Sequence, residues 1–332
     1  MKRLLQLITL LCLTSTATFS QVTWIGAGTD NDWDNPANWD VFAIPSTTDD
    51  VIIPSGYTVV LNVFGNIKSI NLQGDSVFEI NTNLTFTAPS NFGPNTTVNW
   101  NSGTINGSLS SLTNQGVINL RTTSNKSISG EMTLENEGFI NITSSGDLLI
   151  TGSESVLHNP IEGIIDMQAD TGNISWSGTP GVLSNEGLIK KTTSSGVAAI
   201  VLPINNNDGT IQVEAGTLSF QNTLGKNFTD GTYNVFAGAT MDWDTTINPS
   251  GTLEGNIVGN LNWNSILNIP DGENATFNFS ETDNFNWTTG TLSGGGTLIN
   301  TNVLKLIGSS NKFVSGDSTL ENLGTLVLTS NG

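Results

Sequence analysis

The phrase Leu134-Glu135-Asn136-Glu137-Gly138-Phe139-Ile140-Asn141-Ile142 recurs along this chain, and the recurrence limits what the chain can fold into. The pattern is aliphatic, any residue, Asn, any residue, Gly, then alternating apolar positions. It appears at Leu112–Leu120, at Leu157–Met167 with an insertion, at Leu183–Ile189 and more loosely at Ile204–Val213. Later copies are Leu298-Ile299-Asn300, with Asn302 in the glycine position, and Leu320–Leu328. Gly116, Gly138, Gly163, Gly187 and Gly209 are separated by 22, 25, 24 and 22 residues.

A fixed period in that range is the mark of a stacked repeat. Period-two apolar runs inside each unit predict strands, and no long helical periodicity follows residue 20. About 23 residues suit one coil of an all-β, right-handed parallel β-helix built from three short strands. In such a coil Gly is expected at corners that need φ > 0. Asn is expected to bond an identical Asn one coil away. Ile, Leu and Val should stack inward, while the intervening Asn, Thr and Ser face water.

A longer repeat overlies the short one. Asn99-Trp100 to Ile105 matches Asn286-Trp287 to Leu292 at an offset of 187, and Ser124–Gly138 matches Ser310–Gly324 at 186. This reads as a block of about eight coils, duplicated. A spacer or a multivalent surface gains from such duplication, whereas an active site rarely needs it.

Met1–Ser20 has the features of a secretory leader: Lys2-Arg3, an apolar run Leu4–Leu13, and small residues at Thr18 and Ser20 before Gln21. The apolar run is too short to span a bilayer, so no membrane insertion is expected after cleavage. Cys12 is the single cysteine and falls in this leader, after Leu11, which is not a lipoprotein cleavage box. The remainder would have no disulfide. It would hold 8 basic and 29 acidic side chains, a net charge of −21. Nucleic acid and anionic membranes are poor partners for such a chain.

Residues 21–50 read as an N-terminal cap and 51–332 as the β-helix proper. The cap runs Trp24-x-Gly26, then Trp33-x-x-Pro36-x-Asn38-Trp39, then Pro45 and Asp49-Asp50-Val51-Ile52. This segment resembles the opening of many secreted β-helix surface proteins, notably in Bacteroidota, and of some autotransporter passengers. The resemblance covers about thirty residues. It implies a secreted or cell-surface, adhesin-like β-helix and no particular activity. Many members of that group carry a C-terminal sorting or anchoring domain. The second block stops at Thr329–Gly332 in mid-coil, which leads to the expectation that this is a fragment of a longer protein or that another chain covers the open end. Physically, Trp24, Trp33 and Trp39 are expected to cover the first coil and the prolines to stop further strand pairing. The segment 220–283 keeps its turn glycines and reads as degenerate coils. About twelve coils would make a rod roughly 55–60 Å long.

Candidate sites are few. Trp100, Trp176, Trp243, Trp263 and Trp287 share one frame and suit either an outward sugar platform or an inward column. Period two puts each on the side of the aliphatic residue two before it, which favours the column. Asp30, Asp32 and Asp34 resemble the start of a calcium loop. Asn35 and Val41 stand where an EF-hand needs Gly and Glu, so turn-forming aspartates are the favoured reading. His158 fills a variable outward slot and is a poor general base. Lys190-Lys191 is expected to be solvated. Paired carboxylates across coils cannot be read from spacing. Thr residues do not recur at the coil period, against an ice-binding face. Asp75-Ser76, Asp244-Thr245 and Asp317-Ser318 resemble a short O-glycosylation phrase.

No catalytic residue and no required cofactor emerge. The expectation is a non-enzymatic stalk or adhesin, whose partners would be an extracellular glycan or a neighbouring or host cell surface. The alternative is a carbohydrate-active β-helix, a lyase, glycosidase or glycan-binding module.

Overall fold

The computed structural model describes residues 20–222, 224–280 and 284–329. The expected leader lies outside them, apart from Ser20. Within them the chain is an all-β parallel solenoid, with a single 3-10 turn at Pro36–Asn38. Each coil lays one strand on each of three faces. In the coils of the clearest repeats, the first face holds Ser111–Asn114, Thr133–Asn136 and Val156–Asn159. The second holds Val117–Leu120, Phe139–Ile142 and Ile164–Met167, and the third Lys126–Ser129 and Leu148–Ile150. The third face is a continuous 13-stranded sheet. The first two join into one sheet, because the strand Ile247–Asn256 runs round their shared corner without a break.

Strand pairs are parallel and in register, so like residues stack. Leu112, Leu134, Leu157, Leu183 and Ile204 form one inward column. Ile200, Phe220, Trp243, Trp263 and Trp287 form another. The expected inward column is present for three of the five tryptophans, Trp243, Trp263 and Trp287, which are buried. Trp100 is buried on the second face instead, and Trp176 is half-buried against the core, outside that column. Trp263 and Trp287 stack face to face at 4.0 Å. The coils continue through 220–280 as expected, with strands such as Lys226–Thr229, Thr232–Val235 and Thr240–Trp243.

The cap is a Trp cluster. Trp24, Trp33 and Trp39 are buried, with ring centroids 4.9 Å (Trp24–Trp39) and 4.8 Å (Trp33–Trp39) apart. Asn38 is its hub: its amide donates to the backbone carbonyls of Asp30 and Asp32, and its Oδ1 accepts from Gly28 N. Ser20–Thr23 pairs in parallel with the first-face strand Asp49–Ile53, in a register that sets Ser20 beside Asp49 and Thr23 beside Ile52.

The Asn ladder is real and buried. Asn114, Asn136, Asn159, Asn185 and Asn206 each donate through Nδ2 to the next, at 2.8, 2.7, 2.8 and 2.6 Å, and Asn206 ends the ladder on Tyr233 Oη at 3.0 Å. The expected role of the repeat glycines needs correction. Gly116, Gly138, Gly163, Gly187 and Gly209 do not have φ > 0. They are required by close approach: a Cβ on Gly138 would lie 2.2 Å from Gly116 O, and one on Gly163 2.1 Å from Asn136 O. The coils pinch together at this corner, and only hydrogen fits.

Lys191 is also a correction. It takes an inward position, stacked on Val213, and its ammonium donates to Ala169 O, Thr193 O and Ser194 Oγ. Lys126 and Lys226 are buried in the same manner, on backbone carbonyls. Carbonyls left over at corners need donors, and an inward lysine supplies three at once.

Burial pulls the Lys226 amine down to about 8, from 10.5. Between those two values the unfolded chain binds more protons at this site than the folded one, so stability rises with pH across that window. Wild-type urea midpoints should increase from pH 7.5 to 9.5, and Lys226→Met should lose part of the increase. Tyr233 is buried and held far above its ordinary value by desolvation, so stability should fall again where unfolded tyrosines ionise.

The long repeat also differs from a whole number of coils. Gly103 on the third face pairs with Lys126, and its counterpart Gly290 on the first face pairs with Lys312. Both glycines have φ > 0, at 88° and 98°. Likewise Trp100 ends a second-face strand and Trp287 a third-face strand. The copies lie eight coils and one face apart, counted along the third-face sheet from 103–106 to 285–287. Core chemistry is kept across this turn: Lys126 and Lys312 both donate to carbonyls, at Thr122 O and Ser310 O.

Candidate binding surface

Outward side chains form hydrogen-bonded ladders of their own. Asn62 donates to Asp32, Asn81 to Asn62 and Asn101 to Asn81. Asn99 donates to Glu79, Asn119 to Asn99 and Asn141 to Asn119. Asn205, Asn227, Asn248 and Asn268 form a third, and Asn262 and Asn264 donate to Asp242 and Asp244. These donors point toward the N-terminal end, opposite to the buried ladder. Several ladders begin on a carboxylate, which can only accept, so the carboxylate sets the direction of the amides above it.

The sequence candidates fall within this scheme. Asp30 accepts from Asn35, Asn38 and the Asp32 amide, and the Asn35 contact holds its carboxyl below the usual range. Asp32 accepts from Asn62, and Asp34 is exposed. Among the described residues, no group of three or more His, Asp or Glu side chains is placed to hold a metal ion. His158 stands between two carboxylates, with Glu135 2.9 Å from Nδ1 and Glu186 3.7 Å from Nε2. Lys190 pairs with Asp166 at 3.6 Å, Lys68 with Asp50 at 2.7 Å and Arg121 with Glu79 at 3.8 Å. The hydroxyl-bearing residues of the O-glycosylation phrases, Ser76, Thr245 and Ser318, are buried, so the folded chain does not offer them to a transferase.

One surface was missed by residue-by-residue reading. Each repeat glycine lies between an outward polar residue and an outward first strand residue. The triplets are Gln115-Gly116-Val117, Glu137-Gly138-Phe139, Glu162-Gly163-Ile164, Glu186-Gly187-Leu188 and Asp208-Gly209-Thr210. Val117, Phe139, Ile164 and Leu188 are in register on successive coils, so they form one apolar stripe along the edge of the second face. Glu137, Glu162, Glu186 and Asp208 are exposed and form a parallel ridge at the corner. Ile161, 76% exposed, stands beside them. Glycine lines the groove between ridge and stripe. Two clefts open here, of about 520 Å³ (Ile161, Glu186, Leu188, Asp208) and about 430 Å³ (Pro94, Gln115, Glu137, Glu162). Aligning the repeat units on their glycines is the signal that reveals this surface.

A separate cleft of about 390 Å³ lies between Phe236, Val258 and the amides of Asn234 and Asn256. Of these four residues, Phe236 and Val258 are the exposed apolar ones.

These features define a parallel β-solenoid whose polar faces are mutually hydrogen-bonded. No family model, no curated protein and no solved structure matches the chain.

Proposed function

We propose that this chain is an exported, non-enzymatic β-solenoid that serves as a stalk or adhesin at a cell surface. The observation that carries the reading is the turn of one face between the duplicated blocks. Duplication kept the inward chemistry, in Lys126 and Lys312 or Gly103 and Gly290, while it aimed the copied outer residues in a different direction. Such a repeat builds length and does not build a second site. The self-paired Asn ladders support the same reading, since their amides are largely satisfied within the faces. The N-terminal charges and apolar run of Met1–Ser20 support export, and the Trp-rich opening supports the surface β-helix type. The test is incubation of the chain with a panel of neutral and acidic polysaccharides, read by reducing ends and by unsaturated-uronate absorbance. The proposal predicts no turnover; release of products that scales with protein would overturn it.

The Phe236 cleft favours a second reading, glycan binding without turnover. An exposed aromatic ring beside two amides suits the apolar face and hydroxyls of one sugar. Phe236→Ala should weaken any glycan-array signal about tenfold, as loss of an aromatic anchor does. An unchanged array profile would remove this cleft from consideration.

A further inference from the structure

We propose that the groove along the second-face edge docks a cationic, amphipathic peptide segment of a partner protein. The inference rests on the reading of the chain as a non-enzymatic surface protein and adds the chemistry of its partner. The apolar stripe of Val117, Phe139, Ile164 and Leu188 spans four coils, roughly 14 Å at ordinary strand spacing. Phe139 is 46% exposed and Ile161 76%. Three outward columns of this solenoid carry Asn ladders. The first-face edge column has only Val156 and Val182 as an apolar pair after Thr133, so four apolar residues in a row on the outside depart from the local rule. Rows of exposed apolar side chains rimmed by charge mark interaction sites.

The rim decides the partner. Glu137, Glu162, Glu186 and Asp208 each stand two residues before the outward residue of their coil, so the carboxylates follow the stripe rung for rung. The lysines nearby are engaged elsewhere: Lys190 pairs with Asp166 on the far side of the stripe, and the Lys191 ammonium is turned inward onto carbonyls. On the ridge itself Glu137 accepts from Gln115 at 2.9 Å and Glu186 stands 3.7 Å from His158 Nε2, and both residues remain exposed to a partner. A segment that buries apolar side chains on the stripe while setting Lys or Arg against the ridge satisfies both rows. An acidic or neutral partner leaves the net negative charge of the ridge uncompensated. The duplicated block lacks the feature, because Leu323 replaces Glu137 and Thr325 replaces Phe139. The surface is therefore not a by-product of the repeat that builds the core.

The test is fluorescence anisotropy with the full chain and a labelled peptide of alternating Lys and Leu. Oligolysine of equal charge and a neutral Leu/Gln peptide are the comparators. The Lys/Leu peptide should bind at least about tenfold more tightly than either comparator. Phe139→Ser with Leu188→Ser, and separately Glu137→Gln with Glu186→Gln, should each weaken it by about tenfold, while Phe64→Ser, at an exposed side chain outside the groove, leaves it unchanged. Urea midpoints check that the variants fold. Should the Phe139 and Leu188 pair fail to fold, Ile161→Ser, outside any strand, takes its place. Equal binding of oligolysine, equal binding by the variants, or no binding of the Lys/Leu peptide would each overturn the proposal. None of these outcomes bears on polysaccharide turnover, so the docking surface and the stalk reading fail separately.

Discussion

Asn159→Ala is expected to lower stability by about 3 kcal/mol, whereas Asn141→Ala should change it by no more than about 0.5 kcal/mol. Both residues belong to amide ladders, and they differ in where the ladder runs. Asn159 is fully buried, accepts from Asn136 and donates to Asn185. Its removal strands a donor below and an acceptor above, each in a place water does not reach. Buried polar groups left unpaired cost about 1–3 kcal/mol apiece. Asn141 donates to Asn119 on an outer face, where water replaces the lost partner. Because each coil touches only its neighbours, a broken rung also loosens the coupling between the two halves of the rod. The urea transition of Asn159→Ala should therefore broaden as its midpoint falls. Equal midpoints for the two variants would contradict the account of the buried ladder.

Gly138→Ala should cost about 3 kcal/mol, in the range of overpacked cores, although its backbone conformation is ordinary. A methyl group there would sit 2.2 Å from Gly116 O and 2.8 Å from the Gln115 carbonyl carbon. Those are backbone atoms of the preceding coil, so relief requires the coils to part, which breaks the ladder on either side. Gly272→Ala is the comparison. Gly272 has φ +79°, with nothing within 4 Å of an added Cβ, so only backbone strain of about 1 kcal/mol is expected. Ranking by φ alone puts the two the other way round. Urea midpoints of the two variants decide between the explanations.

Much of this architecture was legible because a solenoid maps sequence onto space with few unknowns. The spacing of Gly116, Gly138 and Gly163 gives the coil, and period two gives the side on which Trp243 and Trp263 fall. What escaped has physical causes. Close approach between coils leaves no trace in a single unit, where a recurring glycine points only to a dihedral requirement. Lys190 and Lys191 are the same residue type on opposite sides of one strand, and only strand phase separates the solvated one from the buried one. The one-face rotation of the duplicate was hidden by small variations in coil length and by the strand Ile247–Asn256, which rounds a corner other coils turn with a break. The binding surface was invisible for a different reason. Phe139 and Glu137 look ordinary in their own coil and become a groove only when Ile164, Leu188 and their acidic neighbours stack above them.

The central claim is that successive coils advance along one axis by a single strand spacing. The most direct measurement is a pulsed electron–electron distance between spin labels at Thr97→Cys and Thr210→Cys, in a chain carrying Cys12→Ser. These positions lie in one outward column, five coil steps apart, through Val117, Phe139, Ile164 and Leu188. The account predicts one narrow distribution near roughly 24 Å between backbones, widened only by the label arms. A broad distribution, or a separation well beyond that, would contradict the stacked-coil architecture and the stalk reading built on it.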